Sequence, residues 1–197
     1  MAGVEERLQA ALEAKEFGEV APILDQAELE SSDPNVLSAD WPVALHILGH
    51  IYNNNLEDAR FLWKRLPPQQ QAAPEADAAW RLLRFAWNRN YVATWQALQA
   101  HQWSAGVQPL VEALVESTRR RMLALVAAAY SQVSPARAAE LLGVSEADAR
   151  QLARDMGWGE SEAGDMLRPS QPAGDGAGLD SRAALEQLTQ YMVHLES

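Results

Sequence analysis

Cysteine is absent from the 197-residue sequence. Without cysteine, neither a disulfide framework nor a cysteine-ligated zinc site can stabilise the chain. Long apolar runs are also missing, and no stretch approaches the roughly 18 apolar residues that a membrane-spanning helix needs. The segment MAGVEERLQAALEAKEFGEV is charged and amphipathic, unlike a secretory signal. We therefore expect no disulfide, no signal peptide and no membrane partner.

Motifs for catalysis or cofactor binding are missing as well. The sequence has no glycine-rich phosphate loop, no nucleophile elbow and no recognisable pair of catalytic carboxylates. His46 and His50 have the i, i+4 spacing of two zinc ligands on a helix, but Ile47 stands where a zinc protease carries its general-base glutamate. His101 and His194 are each isolated. We predict no enzyme activity, no metal and no cofactor, and we interpret His46 and His50 as partly buried structural residues.

The charge is negative and unevenly distributed. The net charge is −11, and residues 1–58 carry 12 acidic residues against only Arg7 and Lys15, a net of −10. The rest of the chain is close to neutral. Such a surface repels phosphate polymers and suits a basic protein partner. We therefore expect no nucleic-acid partner.

Helical periodicity dominates the first hundred residues. Apolar residues recur at i, i+3, i+4 and i+7, which predicts a nearly all-helical fold. Short breaks between the segments indicate antiparallel pairs, and pairs near residues 40–66 and 74–100 indicate a degenerate helical-hairpin repeat. A stack of this kind exposes long faces that favour protein binding. The predicted helices are Val4–Lys15, Phe17–Ala27 with Pro22 in an early turn or at a kink, a helix capped by Asp40 with Pro42 in its first turn, LEDARFLWKRLPP, a helix from Pro74, and YVATWQALQAHQW.

The apolar stripes of these helices contain most of the tryptophans. The stripe from Trp41 continues through Leu45 and Leu48 to Tyr52, with the two histidines at its rim. We expect the tryptophans to serve core or interface packing. The stripe tryptophans are Trp41, Trp63, Trp80, Trp87 and Trp95.

A winged helix is predicted after residues 107–133, which form one long helix or two. Ser134 caps a helix that starts at Pro135, Gly143 supplies the turn, and Ser145 caps the second helix with Asp148 at N3. Two short strands, around Trp158 and at Met166–Arg168, complete the wing. The buried side of the second helix is predicted to be Ala149, Leu152, Ala153 and Met156.

The charges of this module argue against DNA reading. The start of the second helix, which meets base edges in DNA readers, carries Glu146 and Asp148. Residues 119–169 contain seven arginines and seven acidic residues, so no basic stripe can neutralise phosphates. The basic cluster Arg119–Arg121 spreads over about 300° of a helix, which predicts a solvated helix face and no phosphate-binding row. We interpret the winged helix as a protein-packing module, and a DNA-binding regulator remains the alternative from another functional class.

The C-terminal part divides into a linker and a helix. Residues 169–180 are rich in proline and glycine and lack periodicity, which predicts a flexible linker. Residues 181–197 predict a helix capped by Ser181. Its narrow apolar seam needs a partner helix, because a helix this short is marginal alone. The seam consists of Leu185, Leu188, Met192 and Leu195. The predicted architecture is helical repeats (1–106), a winged helix (107–168), the linker and the terminal helix: all-α with a small β wing.

Three segments carry a resemblance to a known family. DARFLWKRLPPQ, HQWSAGVQPLVEAL and LTQYMVHLE together resemble subunit eight, the smallest subunit, of the COP nine signalosome. DWPVALHILGHIY is similar to the plant form. This family belongs to the PCI group, which the signalosome shares with the proteasome lid and translation initiation factor three. The resemblance covers about Asp40 to Ser197, and the order of the parts agrees.

The resemblance implies a non-catalytic assembly subunit. In the family, winged helices pack edge to edge in an arc, and C-terminal helices gather in a bundle. Subunit eight lies near one end of the arc, beside subunit three. The complex removes Nedd from cullins of cullin-RING ubiquitin ligases, with zinc chemistry in another subunit, and acts in the cytoplasm and nucleus in developmental signalling. A PCI subunit of the proteasome lid or initiation factor three is the alternative. The implied interface residues are Trp158, Met166, Leu167 and Arg168 of the wing, with the seam of the last helix.

Overall fold

The computed structural model describes residues 2–31, 36–37, 41–161 and 165–170. This part of the chain contains ten α-helices and one two-stranded antiparallel sheet, which confirms the predicted all-α fold with a small β wing. Across these residues, no helix combines the length and apolar character needed to cross a membrane. The helices are α1 (Ala2–Glu13), α2 (Val20–Glu30), α3 (Val43–Tyr52), α4 (Leu56–Arg65), α5 (Pro68–Gln71), α6 (Pro74–Trp87), α7 (Tyr91–Ala100), α8 (Gln108–Ala129), α9 (Pro135–Leu142) and α10 (Glu146–Asp155), and the strands are β1 (Gly159–Glu160) and β2 (Leu167–Arg168).

Two helix boundaries near the N-terminus differ from the predicted ones. Helix α1 ends at Glu13 instead of Lys15, because Lys15 adopts a left-handed conformation with φ of 59°. The predicted second helix begins as a 3-10 turn, Phe17–Glu19, before α2 starts. Pro22 lies in the first turn of α2, where a missing backbone N–H costs no helical hydrogen bond, as predicted.

Helix α3 is the centre of the fold and is buried on all sides. Every residue from Val43 to Ile51 is buried, and α2, α4, α6 and α8 all pack against it. The predicted one-sided stripe is therefore wrong for this helix, because the segment VALHILGHI is apolar around most of its circumference and such a helix belongs inside. The helix begins at Val43 with Pro42 at the N-cap position, and the predicted cap Asp40 lies outside the described residues.

The two helical hairpins α3–α4 and α6–α7 turn in the same way. Asn54 and Arg89 each follow a helix end in the left-handed conformation, with φ of 61° and 54°. The next residue in each turn donates its amide to a carbonyl five positions back, Asn55 to His50 at 2.8 Å and Asn90 to Phe85 at 2.9 Å. These are the bonds of a helix C-terminal cap. The equivalence agrees with the predicted degenerate repeat.

The stripe tryptophans lie at different depths. Trp41 and Trp95 are in the core, while Trp63 and Trp80 are half-buried and stack with ring centroids 4.8 Å apart. Trp87 is 41% exposed, so it does not have the predicted packing role in the core. The Arg60 guanidinium covers its ring at 4.8 Å instead. The apolar periodicity therefore predicted the direction in which these side chains point but not how deeply they are buried.

Helix α8 joins the helical hairpins to the winged helix. It is a single 22-residue helix, which decides between the one or two helices predicted for residues 107–133. Its first half buries Leu110 and Leu114, and its second half buries Met122 and Val126 within the same continuous core. After the helix ends, Val133 forms an isolated antiparallel bridge with Leu167. The wing therefore has a third short backbone partner.

Trp95 fastens α7 to the turn of the helix-turn-helix. Its indole N–H donates to the Leu141 carbonyl at 2.9 Å, and its ring lies directly against Gly143. A methyl group at Gly143 would come within 2.4 Å of the Trp95 ring, and the glycine has φ of 64°. Both the left-handed conformation and the close approach therefore require glycine. Together with α8, this contact connects the helical hairpins to the winged helix.

Replacing Gly143 with alanine should destabilise the protein markedly. The left-handed conformation costs about 1–2 kcal/mol for a residue with a Cβ, and overpacking against Trp95 adds roughly 1–3 kcal/mol. Gly157→Ala is the matched control, because Gly157 has φ of 70° but nothing within 4 Å of the added methyl group. Denaturant unfolding should show a clearly larger loss of unfolding free energy for Gly143→Ala. Equal losses of unfolding free energy in the two variants would mean that the contact between Gly143 and Trp95 does not stabilise the connection between the helical hairpins and the winged helix.

Candidate functional site

The helix-turn-helix has the predicted capping geometry. The Ser134 hydroxyl accepts a hydrogen bond from the Arg137 amide at 3.3 Å, and Pro135 is the first residue of α9. The Ser145 hydroxyl accepts from the Asp148 amide at 3.2 Å and donates to the Asp148 carboxylate at 2.7 Å. The first of these bonds satisfies an N-terminal amide that α10 leaves unpaired, and the second joins the two side chains. The sequence prediction of this motif is confirmed.

The outer surface of α10 is not suited to DNA. Its exposed first turn carries Glu146 and Asp148, as predicted. Arg150 reaches Glu160 of β1 at 3.9 Å instead of projecting as a free cation. The predicted buried side is correct for Ala149 and Ala153, whereas Leu152 is only partly buried.

The prediction that Met156 belongs to the buried side of α10 is wrong. Met156 is 50% exposed, because α10 ends at Asp155 and Gly157 turns the chain with φ of 70°. Trp158 enters the core just beyond this turn. The apolar period of the helix therefore stops one residue before the predicted end.

The basic cluster on α8 does not form a phosphate-binding row. Arg119 lies over the Trp95 ring at 5.8 Å and pairs with Glu116, and Arg121 turns inward towards the Tyr52 carbonyl at 3.0 Å. Arg120 is the exposed member of the three. A solvated face was predicted for the cluster, and this is wrong for Arg119 and Arg121, whose guanidinium groups serve packing inside the fold.

The predicted wing interface divides into buried and exposed residues. The side chains of Trp158 and Leu167 are buried in the core, Met166 is half-buried, and Arg168 is exposed. Glu160 pairs in register with Leu167, and Gly159 with Arg168. A neighbour can therefore contact the wing through Arg168, Met166 and the strand backbone, but not through the rings and methyl groups that hold the wing to the core. The predicted seam of Leu185, Leu188, Met192 and Leu195 lies outside the described residues.

A buried polar cluster forms where α2 packs against α3. The Asp25 carboxylate oxygen Oδ1 lies 2.9 Å from His46 Nε2 and 3.3 Å from His50 Nε2. The two imidazole rings stack with centroids 4.8 Å apart, and the Trp41 indole N–H donates to His46 Nδ1 at 3.2 Å. The histidines are 0% and 2% exposed. They were predicted to be only partly buried, and Asp25 is a partner that the periodicity did not reveal.

The electrostatics of this cluster follow from burial and pairing. Hydrogen bonding to His46 is the main cause that lowers the pKa of Asp25 below its ordinary value of 3.8. Burial is the main cause that lowers the pKa of His50 below 6.5, and the neighbouring His46 lowers it further. His50 Nδ1 is buried and has no hydrogen-bond partner within the described part of the chain. The neutral form of His50 is therefore favoured near neutral pH.

The spacing of these three groups would suit a metal, but the hydrogen-bond pattern does not. The ligand atoms of Asp25, His46 and His50 lie within 4.8 Å of one another. A metal-bound imidazole, however, donates its other N–H to an acceptor, and the Trp41 indole is only a donor. His46 Nδ1 must therefore carry the lone pair, which leaves the proton on Nε2, facing Asp25. The geometry favours a structural, proton-bridged role.

Sequence comparison relates the whole chain to a set of eukaryotic proteins. A model of the CSN8/PSMD8/EIF3K family matches residues 38–175. COP9 signalosome complex subunit 8 of Arabidopsis thaliana is 32% identical over 191 residues, which cover 96% of this chain and 97% of that protein. The subunit 8 proteins of Danio rerio and Xenopus tropicalis are 35% and 33% identical, over 75% and 88% of this chain and 78% and 90% of theirs.

The Asp25–His46–His50 cluster predicts acid sensitivity. The folded-state pKa of His50 is lowered from 6.5, so its contribution to stability is present above that value and declines as the pH falls below it. The contribution of Asp25 is lost only as the pH falls further, through its lowered pKa. Unfolding free energy measured from pH 7.5 to 5, roughly one unit either side of the ordinary histidine pKa, should fall more steeply in the wild type than in His50→Gln.

His101→Gln is the control for this experiment, because it removes a histidine that contacts Trp103 and lies outside the cluster. It should keep the wild-type slope. A His50→Gln protein with the same pH slope as the wild type would show that the cluster does not couple protonation to folding. The substitution itself should cost about 1–3 kcal/mol at neutral pH, as is usual when a buried polar partner is lost.

Proposed function

Because the chain belongs to the CSN8/PSMD8/EIF3K family, we propose that it is a non-catalytic, architectural subunit of a COP9 signalosome. The observation that carries the proposal is the 32% identity to subunit 8 of Arabidopsis thaliana across 96% of this chain. The relatives from Danio rerio and Xenopus tropicalis bear the same subunit name. A subunit of the proteasome lid or of initiation factor three is the second candidate, since the family description includes PSMD8 and EIF3K.

The proposed contacts use the wing and the helical hairpins. Strand β1 is exposed and, among the residues described, pairs only with β2. An exposed strand edge can pair with a strand of another chain, so we propose that the wing adds edge to edge to the winged helix of a neighbouring subunit. Subunit three is the proposed neighbour. The exposed Arg168 belongs to the adjacent strand β2 and is paired with Gly159 of β1.

A role without chemistry is supported by the polar groups that the fold does bring together. The buried His46 imidazole bonds to the partly exposed Asp25 carboxylate and to the Trp41 indole. The chain has no cysteine nucleophile, and the ring nitrogens of His46 and His50 are paired or buried. We propose that the isolated chain does not release Nedd from cullins, and that another subunit of the complex supplies this chemistry.

Affinity purification tests the assignment. The tagged full-length chain, expressed in cells of its own organism, should co-purify with the other signalosome subunits in near-stoichiometric amounts by mass spectrometry. Pairwise co-expression with subunit three should give a stable complex. The specificity control is the tagged wild-type chain purified in the presence of the same chain without a tag as competitor. Recovery of proteasome-lid or initiation-factor-three subunits instead would contradict the proposal and favour the second candidate.

The helix predicted for residues 181–197, which lies outside the described residues, provides a separate prediction. Deleting Ser181–Ser197, or replacing Leu188 and Met192 with aspartate, should weaken incorporation into the complex, because a short amphipathic helix buries its seam against other helices. Each buried leucine or methionine contributes roughly 1.5–3 kcal/mol. The melting temperature of the isolated chain should barely change. Gln187→Asp with Gln190→Asp adds the same charge off the seam and should leave incorporation intact. A drop of several degrees in melting temperature would indicate instead that this helix packs on its own chain.

A further inference from the structure

A cavity of about 250 Å³ lies where the two equivalent hairpin turns meet α8. Each turn contributes its left-handed residue, Asn54 from the first and Arg89 from the second. Helix α8 contributes Thr118 and Arg121, and leucine and methionine side chains of α6 to α8 form an apolar floor. The cavity is therefore polar and cationic on one side and apolar on the other.

Arg121 is a half-buried cation that has only neutral partners in this cavity wall. Its guanidinium donates to the Tyr52 carbonyl at 3.0 Å, to the Ser117 hydroxyl at 3.2 Å and to the Asn54 side-chain oxygen at 3.3 Å. Among the described residues, no carboxylate lies within ion-pair distance of it. Burial lowers its pKa, which reflects the cost of keeping an uncompensated charge there.

Other arginines of the fold show what Arg121 lacks. Arg65 pairs with Glu28 at 2.9 Å, and Arg137 pairs with Glu140 at 2.8 Å, although the arginine of each pair is about half exposed. Arg121 is less accessible to water than either and would gain more from an anionic partner. The partial negative charge at the C-terminus of α3, where the Tyr52 carbonyl lies, offsets only part of the cost.

Arg89 brings a second cation to the same cavity. It occupies the left-handed position of the α6–α7 turn, where Asn54 stands in the equivalent turn. A left-handed conformation is uncommon for residues other than glycine, asparagine and aspartate. The arginine at this position is thus not explained by turn geometry, and its side chain lines the cavity opposite α8.

We propose that this cavity binds a carboxylate carried on a short apolar body. The Arg89 guanidinium presents parallel N–H donors that match a carboxylate, and Arg121 adds a second positive charge with an Nη1 N–H beyond the one that it donates to Asn54. Thr118 adds a hydroxyl group at the cavity wall. The volume of about 250 Å³ is below the range of roughly 300–1,000 Å³ of drug-sized sites, which limits the ligand to a small acid or one acidic side chain. The apolar floor takes the hydrocarbon part.

Titration of the full-length chain with 4-methylpentanoate tests this chemistry. Two-dimensional amide NMR should show saturable shifts that map to the two turns and α8, with a Kd in the millimolar range or tighter. The neutral isostere 4-methylpentanamide should bind at least tenfold more weakly. Arg121→Gln should lower the affinity for the acid at least tenfold, while Arg120→Gln, which removes the neighbouring exposed charge, should leave it unchanged.

A second variant guards against loss of folding in Arg121→Gln. Arg89→Gln changes an exposed turn residue and should also weaken binding of the acid while the melting temperature is retained. Equal binding of acid and amide by the wild type, or no saturable binding in the millimolar range, would overturn the proposal. So would unchanged affinity in both a folded Arg121→Gln and Arg89→Gln. Arg121 would then be only a clamp between α8 and the end of α3.

The same acid distinguishes the two sources of the carboxylate. If an acidic side chain of a neighbouring subunit fills the cavity, Arg121→Gln should weaken assembly and excess 4-methylpentanoate should compete with it. If the ligand is a free acid, assembly should be insensitive to both. This second comparison rests on the proposed function, whereas the titration of the isolated chain does not, so a failure of either one is recognisable. Both outcomes support the cavity as a carboxylate site.

Discussion

The complete burial of α3 is the constraint on which the rest of the structure depends. A helix enclosed on every side needs neighbours on every side, and α2, α4, α6 and α8 occupy these positions. Burial also forces the two imidazoles of α3 to find partners, since an unpaired buried polar group costs several kcal/mol. Asp25 is the partner of Nε2 in both histidines and Trp41 is the partner of His46 Nδ1, whereas His50 Nδ1 has no partner among the described residues. Gly49 lets the backbone of α2 approach, with Ala21 N only 3.0 Å from the position of a Cβ. The place of α2 is thus set by hydrogen bonds as well as by apolar packing.

Local signals in the sequence predicted the winged helix well. Ser134 and Ser145 cap helices through amides three positions away, and Gly143 supplies the left-handed turn, so these local roles follow from cap and turn chemistry. The contact of Gly143 with the Trp95 ring is not local, and the sequence did not predict it. Contacts between distant residues left no such signal. Asp25 is 21 positions from His46, and Arg121 is 69 positions from Tyr52. Their meeting depends on which helices become neighbours, and periodicity does not contain that information.

The periodicity of apolar residues also predicted the direction of side chains better than how deeply they are buried. Helix α3 has apolar residues on most of its faces, so a one-sided stripe could be drawn through it although all sides are buried. Trp87 follows the stripe of α6 but lies at the end of that helix, where Arg60 rather than the core covers it. Met156 continues the period of α10 after the chain has begun to turn. The errors therefore concentrate at a helix enclosed by others and at helix ends.

The distribution of cations explains why this helix-turn-helix is better suited to packing than to reading DNA. A DNA reader keeps several cations free for phosphates, whereas here Arg119 covers Trp95, Arg121 bonds the end of α3, and Arg150 faces Glu160. The turn itself is occupied, because the Trp95 ring lies against Gly143 and its indole bonds to the Leu141 carbonyl. These contacts tie the winged helix to the helical hairpins through one core. Because the wing edge and the hairpin faces share this core, they belong to one packed body and not to two independent ones.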